Sequence, residues 1–322
     1  MIQRRELIAS SLGAALLSAF DLAQAQSSKP VRIVVPFAPG GVQDILARTL
    51  STEMGTALGQ TVIVENKAGA GGTIGTGFVA RAEADGTVMV AAAASHNIAG
   101  SLYNKLAYDP QKDFTPYAHI GNASYVMMVH PDVPAKTAAE FIRYAKANPG
   151  KMNYASAGVG SATHLAMAYF CGLANIDMVH VPLKATGEAI NEVISGRAQA
   201  VIAASIGALP FAKDSRLRLL GVTSTKRSKY LPDLPALAES GLPGYQFDSW
   251  FGFVGPAGTP AAQADRINAA VGKLLKDPAI LERLDKQGIE PQAMSNADFA
   301  KLLAADYVRM AAVVKAAGTK LD

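Results

Sequence analysis

Two glycine-rich turns carry the clearest chemical signal in the chain. Pro39-Gly40-Gly41 and Gly158-Val159-Gly160-Ser161 each follow a strand-like run and precede an amphipathic stretch. A helix starting at such a turn presents unpaired N–H groups and the positive end of its dipole, and glycine lets a ligand approach the backbone closely. If both turns face one cleft, each holds one anionic group. That geometry suits a small molecule with a carboxylate at one or both ends. Ser156, Ser161 and Thr163 add hydroxyl donors, and Gln43 adds an amide donor. The plainer alternative is that these glycines only close tight βα turns. Ser161 would then simply cap its helix, and Asp44 would support its own helix N-terminus.

Other chemistries are weaker. Gly158-Val159-Gly160 begins like a dinucleotide fingerprint, but Thr163 stands at the third glycine position. Gly69, Gly71 and Gly72 do not complete a phosphate loop, because Thr76 replaces its lysine. The five histidines (His96, His119, His130, His164 and His180) form no H-E-x-x-H and share no metal spacing with Cys171, so neither metal nor cofactor is expected. Tyr154-Ala155-Ser156-Ala157-Gly158 and Ala203-Ala204-Ser205-Ile206-Gly207 each lack the first glycine of a nucleophile elbow. Triads assemble in space rather than in sequence, so a secreted serine hydrolase remains an alternative to a non-enzymatic receptor.

The elements that position these residues alternate strand, turn and helix. Val31–Val35, Thr61–Val64 and Val88–Ala91 read as buried strands with helices between them. A second series follows. Tyr125–Val129, Met152–Ala155, Val179–Val181, Ala200–Ala203 and Leu217–Val222 read as strands, with a helix over 138–147 that stops at Asn148-Pro149-Gly150. Ser249–Val254 reads as a strand leading back to the first series. The order predicts an α/β fold with mixed, mostly parallel sheets flanked by helices. One lobe is discontinuous, 26–124 plus 251–322, and the other, 125–250, is inserted. The two crossings, at about 124 and 250, form a hinge.

Composition agrees with a folded binding protein. The 322 residues are 50% hydrophobic and 17% charged, which excludes a disordered chain and favours two domains. One cysteine excludes an intrachain disulfide. The net charge of +4 is spread thinly, without the Lys/Arg run of a nucleic-acid binder. Arg4-Arg5, the small apolar stretch Leu7–Leu22 and Ala23-Gln24-Ala25 predict a signal peptide at 1–25, cleaved after Ala25 and exported by the Sec or twin-arginine route. The mature protein is then extracytoplasmic, and a monomer is expected.

Several motifs together resemble the Bug family, the extracytoplasmic solute receptors of tripartite tricarboxylate transporters. They are Val34-Val35-Pro36-Phe37-Ala38-Pro39-Gly40-Gly41-Val42-Gln43-Asp44, Val64-Glu65-Asn66-Lys67-Ala68-Gly69-Ala70-Gly71-Gly72, Asp85-Gly86-Thr87 and Tyr108-Asp109-Pro110. Tyr154 to Ser161 with His164, then His180-Val181-Pro182, Leu231-Pro232-Asp233-Leu234-Pro235, Trp250-Phe251-Gly252 and Pro256-Ala257-Gly258-Thr259-Pro260, continue the pattern in order.

The resemblance implies a two-lobed periplasmic-binding-protein type II (Venus flytrap) fold. It also implies a periplasmic receptor that captures a small carboxylate (a di- or tricarboxylate, or an aromatic acid) between its lobes for membrane transporter subunits. A ligand sensor for a membrane signalling system is an alternative use of the same fold. Carried over by position, the cleft residues are Phe37, Gly40, Gly41, Gln43, Ser95, His96, Ser156, Gly160, Ser161, Thr163, Lys184, Ala185, Thr186, Ser205 and Asp248. The chain has Pro182-Leu183-Lys184-Ala185 where family members often carry Pro-Tyr-Lys-Gly, so no specific acid is assigned. Lys184 can pair with a carboxylate. Asp248 would repel an acid unless it meets an ammonium or hydroxyl. Phe37 and Trp250 are candidate apolar walls, with core packing the alternative for Trp250.

Overall fold

A computed structural model describes residues 29–318. The signal peptide assigned to 1–25 lies outside the described residues. The first series is β1 (Val31–Val35), α1 (Val42–Leu58), β2 (Val62–Asn66), α2 (Thr73–Ala80), β3 (Val88–Ala93) and α3 (Ala94–Leu102). Then come β4 (Phe114–Val129), α4 (Ala138–Ala147), β5 (Asn153–Ser156), α5 (Ala162–Ala174), β6 (Val179–Pro182), α6 (Thr186–Ile194), β7 (Ala200–Ala204), α7 (Ser205–Ala208) and β8 (Arg218–Val222). The return is β9 (Asp248–Pro256), α8 (Ala261–Leu274), α9 (Pro278–Lys286), β10 (Glu290–Pro291) and α10 (Asn296–Ala316).

The strand order is β2-β1-β3-β9-β4-β7-β5-β6, with β8 and β10 also on β4. The outer strands are parallel: β1 with β2 and β3, and β5 with β6 and β7. The central strands β4 and β9 run antiparallel to their neighbours. The β-branched β1 has Ile33, Val34 and Val35 fully buried, as a strand covered on both faces requires.

β4 joins the two halves of the sheet. Its first part, Phe114–Ser124, pairs with β9, and its second, Tyr125–Val129, pairs with β7 and β8. Thr223 ties this passage to the return strand. Its hydroxyl accepts from the Tyr125 amide at 2.7 Å and lies 2.5 Å from the Phe247 carbonyl, to which it donates.

From sequence, a strand is expected only over the second part of β4. The first part contains Pro116 and Gly121, residues depleted in strand interiors, and the ladder shifts register beside both of them. Those bulges accommodate the two residues that obscure the strand pattern. Among the described residues no helix is long and apolar enough to cross a membrane.

Candidate functional site

The site is built from helix beginnings. A cavity of about 20 Å³ is lined by Phe37, Gly41, Val42, Gln43, Ser95, Tyr125, Ala157, Ser161, Ala162, Thr163, Thr186 and Ala204. The first turns of α1, α3, α5 and α6 all contribute to this lining. The N-cap residues of α1, α3 and α6 (Gly41, Ala93 and Ala185) make no side-chain capping bond. First-turn amides have no intrahelical acceptor, so these helices bring donors and positive dipole ends to one point. The lining contains no Asp, Glu, Lys, Arg or His, so these backbone dipoles form the near field of the cavity.

The Phe37–Gly41 turn is held from behind. Gly40 adopts φ +82°, and its amide donates to the Asp44 carboxylate at 2.9 Å. Asn66 donates to the Phe37 carbonyl at 3.0 Å and to Asp44 at 2.9 Å, while Arg48 bonds both Asp44 and Asn66. Burial alone would raise the Asp44 pKa. The bonds from Arg48, the Gly40 amide and Asn66 outweigh it and hold the carboxyl below its ordinary value. Asp44 therefore shapes the turn as an ionised acceptor and stands outside the cavity lining.

The second turn has its own support. Ser161 caps α5, its Oγ accepting from the His164 amide at 3.2 Å and donating to the Gly158 carbonyl at 2.6 Å. The Thr163 hydroxyl accepts from the Ala157 amide at 2.8 Å. Beneath the turn, His164 Nδ1 accepts from the Gly160 amide at 3.2 Å, and the Ser156 hydroxyl lies 2.6 Å from His180 Nε2. Ser161 thus caps its helix and lines the cavity at once.

Of the residues proposed from sequence, Phe37, Gly41, Gln43, Ser95, Ser161, Thr163 and Thr186 come together around the cavity. The remaining eight stand outside its lining. Gly40 and Gly160 spend their amides on Asp44 and His164. Ser156 points beneath the turn to His180. His96 is buried behind α3, with Nε2 3.0 Å from the Pro110 carbonyl and its ring edge-on to Phe114 and Trp250. Lys184 contributes backbone only: its amide donates to Glu188, and its carbonyl accepts a long 3.5 Å bond from Ala38. Ala185 is the N-cap before Thr186. Ser205 is buried against Ser124, its hydroxyl donating to the Ser124 carbonyl at 2.7 Å.

Asp248 lines a different cavity, of about 660 Å³, beside Ser124, Trp250, Asp306 and Arg309. Its carboxylate accepts from Gln246, and burial raises its pKa. Trp250 belongs to the core and donates to Asp306 at 2.7 Å.

Sequence reasoning missed Val42, Tyr125, Ala157, Ala162 and Ala204. Ala157 and Ala204 each neighbour a residue it chose, Ser156 and Ser205. The two alanines line the cavity, while the neighbouring hydroxyls turn away from it, Ser156 to His180 and Ser205 to Ser124. Tyr125 was visible as the first residue of its strand segment, and its ring packs edge-on against Phe247 at 5.3 Å.

Two sheet halves joined by crossing strands, with helix N-termini converging between them, define a solute-binding protein of the two-lobed periplasmic class. The chain belongs to the tripartite tricarboxylate transporter family receptors, whose family model matches residues 46–319. It is similar to the periplasmic binding protein BugD, with 32% identity and a TM-score of 0.86 over 91% of this chain and 99% of that one. It is also similar to an R. palustris protein solved with adipate, with 30% identity and a TM-score of 0.87 over 92% and 100% of the two chains. A third similar structure is MatC from Rhodopseudomonas palustris with bound malate, with 32% identity and a TM-score of 0.84 over 88% and 98%. The Bug-family resemblance and the two-lobed fold expected from sequence both hold.

Proposed function

We propose that this protein is a periplasmic receptor that captures a small organic carboxylate between its lobes and delivers it to the membrane subunits of a tripartite tricarboxylate-type transporter. One observation carries the reading: the first turns of four helices meet at a cavity lined without a charged side chain. Such a site binds an anion through amide donors and dipole ends. Phe37 and Tyr125 supply aromatic flanks for the ligand's carbon skeleton. Adipate and malate in two relatives support the carboxylate class.

The hinge of this reading lies at the two crossings, with 26–124 and 251–322 as one lobe and 125–250 as the other. A cavity of about 20 Å³ has room for little more than a water, so the lobes must part to admit an acid. Binding then favours the closed arrangement by its differential affinity for it. The receptor reading is preferred to a hydrolase because both serine candidates are fully buried outside the cavity lining, Ser156 against His180 at 2.6 Å and Ser205 against the Ser124 carbonyl at 2.7 Å.

A thermal-shift and calorimetric panel of aliphatic, aromatic and amino dicarboxylates tests the proposal. A ligand bound only by the folded state raises the melting temperature. Saturable binding of at least one acid without turnover is the expected result. No shift across the panel would overturn it.

A further inference from the structure

A contact between two glycine turns involves none of the residues that line the cavity. The turn between β2 and α2 meets the turn between β5 and α5. Gly71 has φ +63°, and a Cβ placed there would overlap the Val159 carbonyl oxygen and lie 3.0 Å from the Gly160 carbonyl carbon. The Tyr103 hydroxyl, just past α3, is 3.1 Å from the Ala70 carbonyl and 3.4 Å from the Val159 carbonyl. Its single proton serves either acceptor. Burial raises the Tyr103 pKa, so that proton stays in place. A Cβ at Gly160 would fall 2.9 Å from the same hydroxyl. Backbone therefore packs on backbone here, at a distance only glycine permits.

We propose that Gly71, Gly160 and the Tyr103 hydroxyl form a latch that holds the two lobes together independently of ligand chemistry. This rests on the reading of the cavity as a cleft between lobes. Because the latch groups stand apart from the cavity, they set how long the cleft stays shut rather than which acid it accepts. Every ligand should gain the same factor in affinity from them.

Gly71→Ala tests this against Gly59→Ala. Gly59 has nearly the same backbone conformation, φ +62°, but a Cβ there meets nothing within 4 Å. The two variants share the left-handed strain and differ in the lobe contact. Tyr103→Phe removes the hydroxyl without touching the backbone, so it carries the test should Gly71→Ala not fold. Small-angle scattering and hydrogen exchange of the 157–163 segment are measured on the unliganded proteins, and calorimetry is run with adipate and malate.

In Gly71→Ala, a larger radius of gyration and faster exchange than in Gly59→Ala are expected. Kd should rise by roughly tenfold, the factor corresponding to ~1.4 kcal/mol, for each acid that binds. Tyr103→Phe should move in the same direction by roughly two- to tenfold, the range of one hydrogen bond. Scattering and exchange unchanged from Gly59→Ala would overturn the latch, as would a loss confined to one acid. If wild type binds neither acid, the carboxylate reading loses its support, while scattering and exchange still decide the latch.

Discussion

His164 and His180 stack nearly face to face, with ring centroids 4.1 Å apart, directly beneath the turn that carries Gly160. Tyr154 extends the stack, 4.9 Å from His180. Burial lowers the His164 pKa to about 3, helped by the neighbouring His180, and burial lowers that of His180 to about 4. Both rings are therefore neutral at pH 7, and His164 Nδ1 is free to accept from the Gly160 amide.

The first prediction is acid sensitivity. An unfolded histidine titrates near 6.5, so below that pH the unfolded chain binds protons that the folded rings refuse. Stability is at its full value above about pH 6.5 and falls as pH drops toward about 4, where His180 itself protonates. Each ring contributes roughly 2–3 kcal/mol across that window, at ~1.36 kcal/mol per pKa unit. Urea denaturation between pH 7.5 and 4.5 checks this. His180→Phe, which keeps an aromatic ring in the stack, should show a shallower decline. An identical decline in that variant would remove His180 from the explanation.

Asp44 should act on the ligand without meeting it. In Asp44→Asn, the charge that gathers Arg48, Asn66 and the Gly40 amide is lost. A drop of about 1–3 kcal/mol in stability is expected, the range for hydrogen bonds to charged groups. A weaker cleft should accompany it, because the Phe37–Gly41 turn is no longer fixed. Calorimetry on the refolded variant separates the two effects.

A charge set into the cavity should act oppositely according to its sign. Gln43→Glu places a carboxylate among lining residues that carry none. An anionic ligand should then bind at least about tenfold more weakly at pH 7, which is ~1.4 kcal/mol. Part of that affinity should return as pH falls toward 4 and the new carboxyl protonates. Unchanged binding in Gln43→Glu would mean that the acid binds elsewhere.

Thr223 should matter for the junction of β4 with the return to β9. Thr223→Val keeps the shape but leaves the buried Tyr125 amide and Phe247 carbonyl without the hydroxyl. Each unsatisfied buried group costs about 1–3 kcal/mol, so the melting temperature should fall by several degrees. A melting temperature equal to wild type would show that water or a shifted backbone replaces the hydroxyl.

Much of this molecule was legible in its residues, for identifiable reasons. β-branched runs ended by glycine turns marked β1, β2 and the helices after them. The Gly40-Gly41 and Gly160-Ser161 turns marked two sides of the cavity. The first part of β4 was not legible, since Pro116 and Gly121 hide a strand whose bulges tolerate them. The site choices that lie outside this cavity share one cause. His96, Ser205 and Asp248 are polar residues near the right elements, but which face of a crossing strand or helix they occupy depends on partners far away in sequence. Pro110 takes His96, Ser124 takes Ser205 and Gln246 takes Asp248. Polarity identified residues that need a partner, and in these cases the partner was another part of the protein.

The position of β9 between β3 and β4 has a consequence for the chain as it is made. This joining strand is encoded more than a hundred residues after its two neighbours. Until residues 248–256 have left the ribosome, β3 and β4 have no strand to join them, and their facing edges stay unpaired. The nascent polypeptide therefore cannot complete that half-sheet early, and folding waits for nearly the whole chain.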